Sequence, residues 1–158
     1  MRHQNLGRKF DRNSSNREAM FKNLVANLFA HGRIETTVPK AKEVRRIAER
    51  MITRVTRLGA IATAADLKPG DAAKRLALKR DLGKCLPRYS ERTIDGGVER
   101  LDTVEHLFRE VAPKFATRPG GYTRIVKTRN RRGDNAEMAL LMLVEDGASD
   151  AESTATQA

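Results

Sequence analysis

Between Pro39 and Gly59 the apolar side chains Ala41, Val44, Ile47, Ala48, Met51, Val55 and Leu58 recur at three-four spacing. That period fits a helix with one buried stripe and no strand. Pro39 suits a first helical position and Gly59 a stop, so the spacing predicts a helix over residues 39–58. At about 100° per residue, Arg46, Arg50, Arg54 and Arg57 fall along one edge beside the stripe. Four guanidinium groups in a row repel one another unless counter-charge is supplied. Glu43 and Glu49 supply part of it, and a phosphate backbone would supply the rest.

The charge distribution carries the same message. Of 158 residues, 31 are Lys or Arg and 20 are Asp or Glu, a formal net charge of +11. Residues 1–60 hold 14 basic and 5 acidic side chains, and residues 114–144 hold 7 and 2. The stretch between them is nearly balanced, and residues 145–158 hold 4 acidic side chains and no basic ones. Clustered excess charge of this kind marks a polyanion-binding surface. The length suits one domain. With 5 Phe, 2 Tyr and no Trp, the core must be mostly aliphatic.

The first 14 residues offer little to bury and carry Arg2, His3, Arg8, Lys9 and Arg12, which reads as a flexible basic arm that a polyanion would order. Ser15 and Glu18 form a capping-box pattern ahead of Met20, Phe21, Leu24, Val25 and Leu28, so a first helix is expected from Ser15 to Gly32. Arg17 and Lys22 lie off its apolar face. The β-branched run 33–38 reads as a strand. Asp71 is expected to cap a short basic helix ending near Arg80. Cys85-Leu86-Pro87 and residues 93–97 read as loop. Val98, Leu101, Val104, Leu107, Phe108 and Val111 predict a helix of mixed charge, which should pack rather than bind. Residues 122–127 and 136–144 read as strands joined by a basic reversal, the second largely buried because it is apolar throughout. Met138 and Met142 are expected in the core. Together these predict an α+β fold, a small mixed sheet of about three strands with amphipathic helices packed on it. The acidic tail 146–158 is expected to be disordered.

Catalytic motifs are missing from the sequence. His3, His31 and His106 are scattered, and Cys85 is alone, suited to a reducing compartment and read as a semi-buried residue. No nucleophile elbow or phosphate-binding loop occurs. No run suits a membrane span, and the first residues lack the apolar stretch of a signal peptide. The expectation is a cytosolic, non-enzymatic protein with no cofactor, metal, membrane or small-molecule substrate. A DNA-binding architectural protein and an RNA-associated interaction module are the rival readings. The first lacks an Asn or Gln reading set beside its Arg edge.

Several ordered stretches carry a more specific signal. They are Met1-Arg2-His3, Gly7-Arg8, Arg12-Asn13-Ser14-Ser15, Arg17, Ala19-Met20-Phe21 and Asn23-Leu24. Ile34-Glu35-Thr36-Thr37 and Lys40-Ala41-Lys42-Glu43-Val44-Arg45-Arg46 follow, then Arg118-Pro119-Gly120-Gly121-Tyr122-Thr123-Arg124-Ile125 and Gly133-Asp134-Asn135-Ala136-Glu137-Met138-Ala139. In this order they resemble the bacterial large-subunit ribosomal protein seventeen family. The resemblance implies helices against a small sheet, binding to large-subunit ribosomal RNA on the face toward the polypeptide exit, neighbouring ribosomal proteins and no catalysis. The sequence departs from the family between about Leu82 and Thr103, as an insertion would, and again at the acidic tail. Asn16 stands where a basic or aromatic side chain is expected. The domain is placed at 15–145. The candidate RNA contacts are Arg2, His3, Arg8, Lys9, Arg12, Arg17, Lys22, Lys40, Lys42, Arg45, Arg46, Arg50, Arg54, Arg118, Tyr122, Arg124, Arg131 and Arg132.

Overall fold

A computed structural model describes residues 7–64, 66–94 and 97–144, the side chain of Ile94 aside. The segments expected as the start of the arm, with Arg2 and His3, and as the acidic tail lie outside the described residues.

Helix α1 spans Ser14–His31. Its cap is Asn13, whose Oδ1 accepts the Asn16 amide at 2.9 Å, rather than the Ser15–Glu18 box. Asparagine is among the strongest N-cap residues, and it sets the start one residue earlier. Gly32 ends the helix at φ 72°, its N–H donating to the Leu28 carbonyl at 2.9 Å. Only the second half of α1 is buried, through Val25, Ala26, Leu28, Phe29 and Ala30. Phe21 in the first half instead receives Phe10, ring edge to face at 6.0 Å, so the described end of the arm folds back on the helix.

Strand β1 (Arg33–Thr37) leads into α2 (Val38–Thr56), with Pro39 in the first turn. The predicted stripe is buried at Ala41, Val44, Ala48, Met51 and Val55. Val38 and Ile52 join it, while Ile47 and Leu58 are partly buried against the core.

The middle of the chain departs most from expectation. Helix α3 runs from Pro69 to Cys85, longer than expected, with Asp71 inside its first turn rather than capping it. Cys85 is exposed, not semi-buried. Thr93, Ile94 and Gly97, expected in a loop, and Val98, expected in a helix, lie in strands instead; the rest of the expected loop, 95–96, lies outside the described residues. Strands β2 (Tyr89–Ile94) and β3 (Gly97–Asp102) make a separate antiparallel hairpin. The helix starts only at Thr103, because Asp102 caps it by accepting the Glu105 amide at 3.0 Å. Helix α4 (Thr103–His106) continues as a wide turn to Val111 and a tight turn Ala112–Phe115 that absorbs Pro113. It does pack: Leu107, Phe108, Val111, Ala112 and Phe115 are core.

Strands β4 (Thr123–Asn130) and β5 (Glu137–Leu143) complete a three-stranded sheet of order β1-β5-β4. The architecture is α+β as expected. Both pairings are antiparallel rather than mixed, since β5 returns against each neighbour. Ile34, Thr36, Ile125, Ala139 and Leu141 share the face turned to the helices, as their register shows. Met138, Leu140 and Met142 alternate with them and are only half-buried, and Val126 beside them is 43 % exposed. An apolar run was therefore a poor guide to burial here. A strand's side chains alternate whatever their type, and helices cover one face alone. The two methionines lie on the outer face.

Candidate nucleic-acid interface

Helix α2 and strand β4 pack side by side, and between them lies an open groove of about 610 Å³. Its wall is Val38, Lys42, Arg45, Arg46, Glu49, Ile125 and Lys127. Four cations thus meet from two parts of the chain some eighty residues apart. Three belong to the α2 sequence predicted to bind. Lys127 was not among the candidates. Strand alternation could have found it, because position 127 faces the same way as Ile125, which packs toward α2.

The single carboxylate in the groove is already engaged. Glu49 Oε1 accepts from Arg45 Nε at 3.1 Å and from the Thr123 hydroxyl at 2.8 Å, which ties α2 to β4. Glu43, the other acid on α2, stands 4.0 Å from Arg8 of the arm. Arg46 and Arg50 are exposed and make no ion pair among the described residues. Arg57, about two turns beyond Arg50, is likewise exposed and extends the same edge.

Arg54 is turned to other work. It pairs with Asp81 of α3, and its hydrogen bond and charge, helped by Lys84, hold the Asp81 carboxyl below the ordinary carboxylate range. The Arg edge is therefore broken at its third member by a contact that only the tertiary fold supplies.

The remaining candidates divide. Lys9, Arg12, Lys42 and Arg132 are exposed, and Arg17, Lys22 and Lys40 half-buried. Arg118 donates to the Gly121 carbonyl at 3.2 Å, within the turn that precedes β4. Arg124 is exposed on the outer face of the sheet, the register partner of Met142. Arg131 closes the β4–β5 bend by two hydrogen bonds to Asp134, at 3.0 and 2.5 Å. Those bonds, with the Ala136 amide, lower the Asp134 pKa to about 2. Tyr122 is corrected outright. It is 2 % exposed, packed 5.1 Å from the Phe115 ring, and is a core residue that no base reaches. Its place one residue before β4 puts it over the core, where a large ring is needed because the chain has few others. Nothing brings the cations of the β4–β5 bend into the α2–β4 groove.

Among the described residues no three His, Cys, Asp or Glu side chains are grouped to hold a metal, and no helix is long and apolar enough to cross a membrane. The pattern of the Ribosomal protein L17 family matches residues 20–144. The large ribosomal subunit protein bL17 of Sorangium cellulosum (strain So ce56) is 48 % identical over 147 residues, covering 92 % of this chain and 84 % of that protein. A profile match over most of the chain and a relative this similar along nearly its full length lead to one conclusion: the chain belongs to the ribosomal protein L17 family.

Proposed function

We propose that the protein is a structural constituent of the bacterial large ribosomal subunit, resident in the cytoplasmic ribosome, which holds ribosomal RNA through the α2–β4 groove and catalyses nothing. The observation that carries this reading is the pair Arg46 and Arg50, exposed and without an internal counter-charge, beside a groove where Lys42, Arg45 and Lys127 converge. Exposed guanidinium groups in a row repel one another and are left without protein counter-charge, and a phosphate backbone is an anion of matching length that neutralises them. Arg8, Lys9 and Arg12 extend the surface from the arm, since Arg8 approaches Glu43 on α2. Arg124, Arg131 and Arg132 form a second patch on and beyond the β4–β5 hairpin, which grips RNA backbone or adjoins a neighbouring ribosomal protein. Recognition of this kind reads backbone, shape and 2′-hydroxyls rather than base sequence.

The test is the double charge reversal Arg46→Glu with Arg50→Glu in the full chain. Both side chains are exposed, so circular dichroism and the melting temperature should stay close to those of the parent. Sedimentation of cell lysate should then show the protein lost from large subunits. A folded variant that still comigrates with large subunits after a moderate-salt wash would remove the groove from the assigned surface.

A further inference from the structure

The β2–β3 hairpin lies within residues 82–103, the stretch expected to be an insertion, and it is firmly seated. Its inward face buries Ser90 and Leu101. Arg92 joins Glu99 at 3.0 Å and Glu110 at 3.5 Å, and the Thr103 amide donates to the Arg88 carbonyl at 3.0 Å. The opposite face presents Tyr89, Glu91 and Thr93 against Asp102, Arg100 and Val98. There Tyr89 stays 42 % exposed. The guanidinium carbon of Arg100 lies 4.0 Å from the centre of its ring and that of Arg88 5.2 Å. Neither arginine makes an ion pair among the described residues. Glu99 is held by Arg92, and Asp102 caps α4.

We propose that Tyr89, with the guanidinium planes of Arg100 and Arg88, is a stacking platform for an unpaired RNA base. The inference rests on the RNA-binding reading above and adds a second, chemically different site to it. Aromatic rings and arginine planes are the surfaces on which splayed-out bases stack, and every base has a face to offer. A paired β2–β3 hairpin, anchored by the ion pairs of Arg92, carries the ring. The site is no phosphate clamp. Among its described side chains Arg88, Arg92 and Arg100 are balanced by Glu91, Glu99 and Asp102. A protein partner fits less well, because an aromatic anchor in a protein interface sits within an apolar, desolvated ring. Here the strand neighbours of Tyr89 on the same face, Asp102, Arg100 and Glu91, are charged, and Val98 is four register positions away at the hairpin tip.

The chain has 2 Tyr and no Trp, and Tyr122 is buried, so quenchable tyrosine emission reports Tyr89. The probes are oligoadenylate and an abasic oligoribonucleotide of equal length, titrated into the intact protein. Oligoadenylate should quench the emission and bind more tightly than the abasic strand. Tyr89→Ala should weaken oligoadenylate binding by roughly five- to a hundredfold, the range for losing one base–aromatic stack. Its salt dependence should not change. Tyr89→Phe keeps the π face and should bind like the parent. Arg100→Lys keeps the charge without the plane and should weaken binding, and it guards against a Tyr89→Ala variant that fails to fold. Equal binding of both strands, or unquenched emission, overturns the platform. If in that case Arg46→Glu with Arg50→Glu still abolishes binding, the RNA-binding reading stands without it. If the parent binds neither strand and does not sediment with large subunits, the RNA-binding reading falls as well. Crosslinks from Tyr89 to protein rather than RNA in assembled subunits would also overturn the platform.

Discussion

Helices α2 and α3 are alike on paper and opposite in practice. Each is about five turns long and rich in Lys and Arg, with two acids of its own. Helix α2 buries seven side chains and leaves Arg46 and Arg50 unpaired on its open edge. Helix α3 buries Leu82 alone and is tied down by its charges. Lys74 meets Asp71 at 3.0 Å, Lys84 meets Asp81 at 3.7 Å, and Arg75 and Lys79 both reach Glu105 of α4. Arg75 also donates to the Ala64 carbonyl at 2.9 Å, and both Arg75 and Lys79 sit over the Phe108 ring. A helix anchored by packing keeps its cations for a partner. A helix with little apolar surface uses them to stay attached. Counting basic residues does not separate the two cases, whereas asking what else holds the helix does.

The largest effects should come from the anchoring itself. Ile52→Ala on α2 removes a fully buried side chain and should cost about 2–5 kcal/mol in urea unfolding, as large-to-small core changes do. Leu76→Ala on α3, at a position 48 % exposed, should stay within about 0.5 kcal/mol. Similar losses at the two sites would break the contrast. Next comes RNA affinity. Neutralising Arg46 and Arg50 to Gln should flatten the log–log salt dependence by about 1 to 2 units, at roughly 0.7–0.9 per phosphate contact. Lys74→Gln with Lys84→Gln on α3 should leave the slope as it was, and an equal flattening would show that α3 binds too.

A smaller change should sharpen the comparison where the helices touch. Asp81→Asn releases Arg54, whose neighbours on the α2 edge are Arg50 and Arg57. The freed guanidinium should steepen the salt dependence by roughly 0.7–0.9, the worth of one more phosphate contact. An unchanged slope would mean Arg54 lies outside the interface even when free.

Of the two helices, acid should act on α3. Burial pulls the Glu105 pKa up, but hydrogen bonds and charge from Lys79 and Arg109 outweigh it and hold the group below its ordinary 4.5. Asp81 is likewise lowered from 3.8 by Arg54. A carboxylate with a depressed folded pKa contributes stability above its unfolded value and loses it as pH falls through the folded one. The protection of α3 amides, taken relative to the intrinsic exchange rate at each pH, should therefore fall as pH drops below about 4.5, while α2, held by apolar contacts, keeps its protection. Simultaneous opening of both would contradict their separate anchoring.

What was legible in the sequence follows the same division. The α2 stripe could be read because periodicity reports burial directly, whereas β1, β4 and β5 could be located as strands but the outer face of β5, with Met138 and Met142, was missed because its run is apolar on both sides. The β2–β3 hairpin could not. Val98 and Leu101 keep helical spacing with Val104, yet in β3 they point to opposite faces, and Val98 is 66 % exposed. The signal that decides is Asp102, a strong cap that fixes the helix start after the strand. Of the site, Arg46 and Arg50 could be picked from one helical edge, and Arg45 from the family stretch Lys40-Ala41-Lys42-Glu43-Val44-Arg45-Arg46. The diversion of Arg54 to Asp81 and the arrival of Lys127 depend on packing between distant segments. Tyr122 was ambiguous by composition, since a tyrosine beside a strand serves a core or a ligand equally well until its neighbour Phe115 is known.

Strand β5 has a consequence for how the molecule is made. It is the last strand of the described chain and the central one of its sheet, so β1 and β4 have no bond to each other without it. While synthesis proceeds, β1 emerges about a hundred residues ahead of β5, its one partner strand among the described residues, and Ile34 and the part of α2 that faces the sheet wait for cover. Closing so long a loop is slow and leaves the intermediate prone to association. Delay in reaching β5 therefore governs when the groove between α2 and β4 first exists, and a ribosome stalled before it would display a basic helix without the sheet behind it.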